Sequence, residues 1–330
     1  MTGIQRLRYY FIDLPLWSSG YRSRALEQRL YKIFEPEIPA IRNGYEALAG
    51  YMNKSITESE IADVLQKAFW VKIIRESDAY TSLRMSKKHL YRYFRFEGID
   101  RLQSLRRENR PIIILTGHIG SYNPCIAFHH LGFEVYPIAR SVDKSPATPR
   151  LTRLYLALNY WLPGRRFSAK YILTDFSGKI DRTIVSVSKN NGIFWVAIDF
   201  PWRLYQHKHL PVRLFGQPAT LPSGIVRWGI KKNALFLTGW NSVEADAGGF
   251  YRLLSIDSSV LAGTDAQTIL QAYADRLSEY VTKKPWQWMA LPVIGQYGEG
   301  CSKTAEDSLT TREPFKPAER MNESPDRIFR

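Results

Sequence analysis

The chain has little cysteine and no long apolar run. Its two cysteines, Cys125 and Cys301, fit neither a metal-ligand spacing nor a disulfide framework, so we expect a reducing compartment. No stretch approaches the ~18–20 uninterrupted apolar residues of a transmembrane helix, and no secretory signal peptide is recognisable. His207 and His209 have no cysteine or carboxylate close by that would complete a zinc site. We therefore expect no metal and no redox cofactor.

Acidic residues are few relative to basic ones. The chain has 46 Lys and Arg against 31 Asp and Glu, a net charge of +15 over 330 residues. Such a surplus favours anionic partners: nucleic acid, an acidic lipid surface or an acidic carrier protein. A basic patch interleaved with aromatic residues lies between 87 and 110 and contains Lys87, Lys88, Arg92, Arg95, Arg101, Arg106, Arg107 and Arg110.

No helix-turn-helix, zinc finger or RNP-like signature accompanies this basic patch, so we expect no specific nucleic-acid partner. An acyl carrier protein or an anionic lipid suits its position better, and a solvated surface is the alternative. Residues 1–22 mix basic and aromatic side chains in the same way. They suit a membrane-surface segment whose rings lie at the headgroup level, or an irregular arm packed on the protein's own core.

Hydrophobic periodicity predicts three segments: the basic-aromatic N-terminal segment (1–22), an α/β domain (23–300) and a disordered tail (301–330). The domain begins with helices up to about Leu90, one of them opened by a capping box at Thr57 and Glu60. Strands and helices then alternate, which predicts a mixed, mostly parallel central sheet flanked by helices. The predicted strands are Ile112–Thr116, Val135–Ala139, Ile193–Ile198, Val212–Leu214, Ala234–Trp240 and Tyr251–Ile256, with a short strand or turn at Arg92–Gly98. The predicted helices are Ile99–Asn109, Tyr122–His130, Pro149–Leu158, Ile180–Lys189, Ser223–Lys231 and Asp265–Lys283.

The most informative segment surrounds His118. An apolar, β-branched run from Ile112 ends in Thr-Gly-His, and a turn of small residues leads into a predicted helix. This places an imidazole at the carboxyl end of a buried parallel strand, where open α/β sheets have their reactive crevice. The pattern suits a general base, with backbone N–H groups directed at developing negative charge.

Five segments, in order, resemble the late acyltransferases of lipid A biosynthesis and the wider glycerolipid acyltransferase superfamily. The resemblance covers about residues 40–295. The segments are Ile114-Leu-Thr-Gly-His118-Ile-Gly-Ser-Tyr-Asn123, similar to the His-x4-Asp/Glu motif; Tyr136-Pro-Ile-Ala-Arg140; Phe194-Trp-Val-Ala-Ile-Asp199; Val212-Arg-Leu-Phe215-Gly216-Gln-Pro-Ala-Thr220-Leu-Pro-Ser-Gly224; and Tyr280-Val-Thr-Lys-Lys-Pro285-Trp-Gln287-Trp288.

The resemblance implies transfer of a fatty acyl group from an acyl thioester, on acyl carrier protein or coenzyme A, to a lipid or glycolipid acceptor such as a lipid A precursor. His118 would be the general base, Asn123 would steer its ring, and Asp199 would be the candidate supporting carboxylate. Arg140 would contact the donor. The remaining expected donor- or substrate-binding residues are Gly117, Gly120, Ser121, Phe215, Gly216, Ser223 and Gly224.

Asn123 departs from the family pattern, because it occupies the position of the carboxylate that would stabilise an imidazolium. Three explanations are open. Another carboxylate, with Asp199 the first candidate, replaces it; or the acceptor is an amine or an activated hydroxyl that needs less base assistance; or the protein is a weakly active or non-catalytic binder of lipid or acyl carrier. The chain also shows no N-terminal spanning helix of the kind found in many lipid A acyltransferases. We therefore expect peripheral attachment at the cytoplasmic face of the bacterial inner membrane.

Overall fold

The computed structural model describes residues 1–121, 124–140, 148–167, 170–174, 182–199, 201, 209–257, 259–261, 263 and 265–298. Its centre is a seven-stranded sheet with the strand order β1-β9-β8-β2-β5-β3-β4. All neighbours in this sheet are parallel except β8 and β9, which are antiparallel. The strands are β1 (Phe94–Glu97), β2 (Ile112–Thr116), β3 (Val135–Arg140), β4 (Ile172–Thr174), β5 (Ile193–Ala197), β8 (Leu235–Asp246) and β9 (Gly249–Ile256), and a separate hairpin comprises β6 (His209–Leu214) and β7 (Gln217–Pro222).

Helices cover both faces of the sheet. They are α1 (Gly3–Arg8), α2 (Leu14–Ser18), α3 (Arg24–Phe34), α4 (Ile38–Tyr51), α5 (Glu58–Ser82), α6 (Leu90–Tyr93), α7 (Ile99–Arg106), α8 (Pro124–His130), α9 (Arg150–Phe167), α10 (Arg182–Lys189), α11 (Gly224–Lys231) and α12 (Ala266–Lys283). Successive residues of β2 enter different cores, with Ile113 and Leu115 in the larger one and Ile112 and Ile114 in the other. A strand buried on both faces must be apolar throughout, which is why β2 reads as an uninterrupted run.

The predicted α/β fold with a mixed, mostly parallel sheet is confirmed. The bounds of β2 are as predicted, and Thr57 caps α5 through the predicted capping box. Several elements are longer than predicted. β8 continues to Asp246 where it pairs with β9, α9 continues to Phe167, β6 begins three residues earlier at His209, β9 begins two residues earlier at Gly249, and β3 ends one residue later at Arg140. In β8, polar residues from Asn241 follow the apolar run, and pairing with β9 carries the strand beyond it.

Strands β4 and β7 were not predicted. In the hairpin, the residues Phe215 and Gly216 form a two-residue turn, and both have positive φ, at 53° and 75°. Type I′ turns need this geometry and usually carry Asn-Gly, so Phe-Gly gives little hairpin signal in the sequence.

Residues 3–18 form an almost continuous helical arm, in which a π-helical turn at Tyr9–Asp13 joins α1 to α2. The aromatic side chains of the arm pack inward. Tyr10 stacks on Tyr155 at 4.3 Å between ring centroids, and Trp17 stacks on Trp70 at 5.2 Å. The aromatic rings therefore support the protein's own core, as the second of the two expectations for residues 1–22 states, although the arm is helical and not irregular.

The expected tail, residues 301–330, lies outside the described residues, as does Cys301. None of the helices within the described ranges combines the length and the hydropathy that a bilayer-spanning segment requires.

Candidate active site

The strand register brings His118 and Asp199 together. β2 and β5 are parallel neighbours, and their last paired residues are Thr116 and Ala197. His118 and Asp199 each lie two residues beyond this pair, so the 81-residue offset of the ladder also separates them. Because parallel strands end at the same edge of a sheet, the two side chains meet at the carboxyl edge, where such folds place their reactive groups.

Asp199 contacts His118 twice. Its Oδ1 lies 2.6 Å from His118 Nδ1, and its Oδ2 accepts the backbone N–H of His118 at 2.7 Å. The same Oδ2 accepts the indole N–H of Trp288 at 2.8 Å. The Asp199 side chain is fully buried, whereas the His118 side chain remains 20% exposed. The imidazole of His118 is therefore partly exposed to solvent, whereas the carboxylate that contacts it is buried.

The Asp199 carboxyl is ionised at neutral pH. Burial alone would raise its pKa, because a buried charge loses hydration, but the imidazole of His118 and the hydrogen bonds from His118 and Trp288 lower the pKa below its ordinary value. An ionised partner at Nδ1 favours a ring that carries its proton there and accepts a second one at Nε2. It also stabilises the imidazolium that results.

The block Pro285-Trp-Gln287-Trp288 holds the His118 loop in place. The backbone carbonyl of Gln287 accepts the N–H of Gly120 at 2.9 Å, and the Gln287 side chain bonds to both the N–H and the carbonyl of Val243 on β8. His118 accepts the N–H of Met289 at its carbonyl, 2.9 Å away. Gly120 has φ +58°, and a Cβ there would lie 2.4 Å from the carbonyl oxygen of Asn241, so glycine is required.

A buried ion pair supports the same loop from the other side. Asp78 on α5 accepts two N–H groups of Arg252 on β9, one of them at 3.0 Å, and also accepts the hydroxyl of Ser121. All three residues are buried. Asn241 on β8 completes the support by exchanging two hydrogen bonds with the backbone of Ser121.

In the described part of the loop, the backbone amides of residues 118–121 are all engaged within the protein. Those of His118, Ile119, Gly120 and Ser121 donate to Asp199, Gly117, Gln287 and Asn241 respectively. The sequence suggested that such amides would face developing negative charge, and in this conformation they have other acceptors. The expected roles of Gly117, Gly120 and Ser121 in binding a donor therefore stay predictions. What the structure adds is that Gly120 and Ser121 shape the loop.

The other expected site residues are more scattered. Arg140 ends β3, the neighbour of β5, and so lies at the same edge of the sheet, although its side chain lies outside the described residues, as does all of Asn123. Phe215 packs on Trp288 with ring centroids 5.4 Å apart, which connects the hairpin turn that it forms with Gly216 to the dyad. Ser223 is buried before Gly224, the first residue of α11, and its hydroxyl accepts a hydrogen bond from Arg227 at 3.2 Å.

Sequence reasoning missed several residues around the dyad. Trp288 and Gln287 belong to the last of the five segments that resemble the family, but nothing in the sequence places them against His118. Tyr273 donates to the carbonyl of Thr116 at 2.7 Å, and Tyr297 donates to the carbonyl of Asp199 at 2.6 Å. Asp78 left no signal in the sequence, because it follows Arg75, Glu76 and Ser77, and only the structure shows that it is buried.

Two cavities and one thiol complete the description. A cavity of about 330 Å³ lies beside the dyad's aromatic partners and is lined by residues including Tyr51, Phe215, Ile294 and Tyr297. Another, of about 840 Å³, lies between α3 and α5 and shares no lining residue with the dyad. Burial raises the pKa of the Cys125 thiol to about 11, so it is not a thiolate nucleophile at neutral pH. Within the described ranges, no three His, Cys, Asp or Glu side chains are grouped as a metal site would need.

The fold and the site define an α/β protein with a histidine–carboxylate pair at the carboxyl edge of parallel strands. The sequence model of one family, described as bacterial lipid A biosynthesis acyltransferase, matches residues 57–292. The match spans most of the chain, and the protein belongs to this family of acyltransferases. No curated protein matches the sequence significantly.

Proposed function

We propose that the protein transfers a fatty acyl group from an acyl thioester, carried by acyl carrier protein or coenzyme A, to a hydroxyl of a lipid or glycolipid acceptor such as a lipid A precursor. The observation that carries this proposal is the contact between Asp199 and His118 Nδ1. It supplies from β5 the carboxylate that the sequence lacks at position 123. It therefore favours the first of the three explanations for Asn123.

In the proposed reaction, His118 Nε2 removes the proton of the acceptor hydroxyl as its oxygen attacks the thioester carbonyl carbon. Asp199 stabilises the resulting imidazolium and keeps the ring in position. The tetrahedral intermediate collapses, the carbon–sulfur bond breaks, and His118 returns the proton to the departing thiolate. We assign ring steering to Asp199 and not to Asn123, because Asp199 already occupies Nδ1. Arg140 remains the proposed contact to the donor.

We propose the 330 Å³ cavity as the place of the acyl chain, because its size and lining suit one. It falls in the ~300–1,000 Å³ range of small-molecule sites. Its walls include Phe215 and Tyr297, which contact Trp288 and Asp199 respectively. An acyl chain seated there would be close to the residues that hold the dyad. We propose that the protein works peripherally at the cytoplasmic face of the bacterial inner membrane, where such acceptors are found.

The test is mass spectrometry of lipids from cells with the gene, without it, and with the variant His118→Ala. We expect one acylated species to disappear without the gene and with His118→Ala, and purified His118→Ala to lose ~10²–10⁴-fold in transfer rate. His129→Ala, at an exposed histidine in the last turn of α8, is the matched control and keeps the product. A His118→Ala protein that still restores the lipid would instead support the non-catalytic alternative.

A further inference from the structure

The outward face of the N-terminal arm is apolar although nothing in the described structure covers it. Ile4 is 82% exposed, and Leu7, Ile12 and Leu16 are exposed at helical spacings along the arm. The opposite face of the same arm places Tyr9, Leu14 and Trp17 in the core. A helix that is apolar on both faces is normally buried on both, so the exposed side calls for an apolar environment beyond the residues that the structure describes.

Helix α9 extends this face. α1 packs against α9, and α9 exposes Leu154 and Trp161, which are seven residues apart and so lie on one side of the helix. Tyr155, next to Leu154, is buried under Tyr10 of the arm and donates to the carbonyl of Glu76. We call the exposed apolar side chains of the two elements the docking face: Ile4, Leu7, Ile12, Leu16, Leu154 and Trp161.

The charges around the docking face are almost all positive. Residues 1–22 contain one acidic residue, Asp13, which is buried and paired with Arg29 at 3.0 Å. The sequence of α9 contains no acidic residue and four arginines. Arg8 and Arg150 are exposed on the two elements. Exposed aliphatic and tryptophan side chains flanked by arginines are suited to the boundary between the headgroups and the acyl chains of an anionic bilayer, where the apolar groups enter the lipid and the arginines contact the headgroups.

We infer that the docking face is the surface by which the protein lies on an anionic lipid bilayer, with the arm and α9 in the headgroup region. The inference rests on the proposed function in one respect, that the acceptor belongs to a membrane. α9 also packs against α8, whose first turn follows the His118 loop, so this orientation brings the loop near the lipid surface. The arm lies wholly before residue 57, where the family match begins, so its part of the docking face does not depend on that match.

The docking face differs from the site that the sequence suggested. Of the aromatic rings expected at the headgroup level, those of Tyr9, Tyr10 and Trp17 are buried and Tyr21 is exposed, and most of the outward-facing apolar side chains are aliphatic. In the basic patch at 87–110, Phe94 is buried and Arg95 bonds to backbone carbonyls of its own segment. That patch offers positive charge with a single strongly exposed large apolar residue, Tyr91.

The experiment is flotation of the full-length protein with vesicles of phosphatidylcholine alone, or of phosphatidylcholine with about 30% phosphatidylglycerol. We expect binding only to the anionic vesicles, weakened by added salt. Ile4→Glu and Leu154→Glu should each weaken it about tenfold or more, and Arg150→Gln about fivefold. Tyr91→Glu is the matched control, because it makes the same change in charge at an exposed apolar residue of the basic patch, and it should bind like the parent.

Each outcome decides the inference. If Tyr91→Glu lost vesicle binding and Ile4→Glu kept it, the contact would lie on the basic patch and the inference would be overturned. Equal vesicle binding by all variants would also overturn the inference. If the parent protein did not bind vesicles but formed a dimer that Ile4→Glu dissociated, the docking face would be a contact between two copies of the chain. That result would also overturn the inference. Thermal melting confirms that each variant is folded. Because binding is measured without turnover, an inactive protein that floats would contradict only the proposed function.

Discussion

The charge at Asp199 is the residue-scale feature on which the proposed chemistry depends. Its Oδ2 accepts two N–H groups, from the His118 backbone and from Trp288, which leaves Oδ1 for the imidazole. In Asp199→Asn, the amide oxygen would remain with those two donors and the NH₂ group would face Nδ1. Nδ1 would then have to accept, and the proton would move to Nε2, where the ring can no longer act as a base.

We therefore expect Asp199→Asn to fold and to lose roughly 10⁴-fold in kcat, the cost of the corresponding exchange in a serine protease triad. The measurement is the transfer rate of purified protein at saturating donor. Asp257→Asn is the matched control, since the Asp257 carboxyl also has a lowered pKa and lies after β9, away from the dyad. Equal rates for both variants would remove Asp199 from the mechanism.

The same carboxylate makes stability depend on pH. Its pKa is lower in the folded chain than the ordinary ~3.9 of an unfolded one, so the unfolded state takes up a proton first as the pH falls. The stabilisation is present above about pH 4 and is lost as the pH falls through the folded-state pKa.

In urea titrations, the difference in free energy of unfolding between the parent and Asp199→Asn should therefore shrink below about pH 4. Asp63→Asn, at an exposed residue of α5, should differ from the parent by no more than ~0.5 kcal/mol at any pH. A difference for Asp199→Asn that stays constant down to pH 2 (roughly two units below the ordinary pKa) would contradict the assignment.

At the scale of elements, the Asp78–Arg252 pair joins α5 to β9 and to the His118 loop. Both partners are buried, so removal of one leaves an uncompensated charge in the interior. We expect Asp78→Leu to cost ~3–5 kcal/mol of stability, and Asp78→Leu with Arg252→Met to recover most of that loss. Chemical denaturation of the two single variants and the double variant measures the coupling energy.

The stable double variant would separate stability from positioning. It lacks the acceptor for the Ser121 hydroxyl, so the loop that carries His118 would be held less firmly. We expect a lower kcat in the double variant even where its unfolding free energy matches the parent. An unchanged kcat would show that Gln287 and Asn241 position the loop without help from Asp78.

At the scale of the whole molecule, the N-terminal arm belongs to the core. Trp17 is buried, stacks on Trp70 and has the Arg22 guanidinium 3.5 Å above its ring. Trp17→Ala should therefore destabilise the whole protein by ~3–5 kcal/mol, in a single transition monitored by circular dichroism. Tyr21→Ala, at an exposed ring nearby, should change the stability by no more than ~0.5 kcal/mol. A separate early transition for Trp17→Ala would show that the arm folds independently.

The local sequence pattern was enough to predict most of the secondary structure and the central residue of the site. The apolar run of β2 and its abrupt end at Thr-Gly-His identified His118, because burial on both faces and a sharp polar boundary are visible in one short stretch. The hairpin turn at Phe215 and Gly216 was missed because its residues are unusual for its geometry. The cover of the site by Trp288, Gln287 and Tyr297 was missed because these residues are about 90 to 100 positions from Asp199.

By itself, the sequence determined the α/β alternation, the surplus of positive charge and the imidazole at the end of a buried strand, since these depend on residue types and their short-range order. Only the tertiary structure decided which carboxylate serves that imidazole and which side of the arm is exposed. Strand order is a long-range property: β2 and β5 are separated in the chain by five other elements that the structure describes, and only their pairing sets Asp199 beside His118.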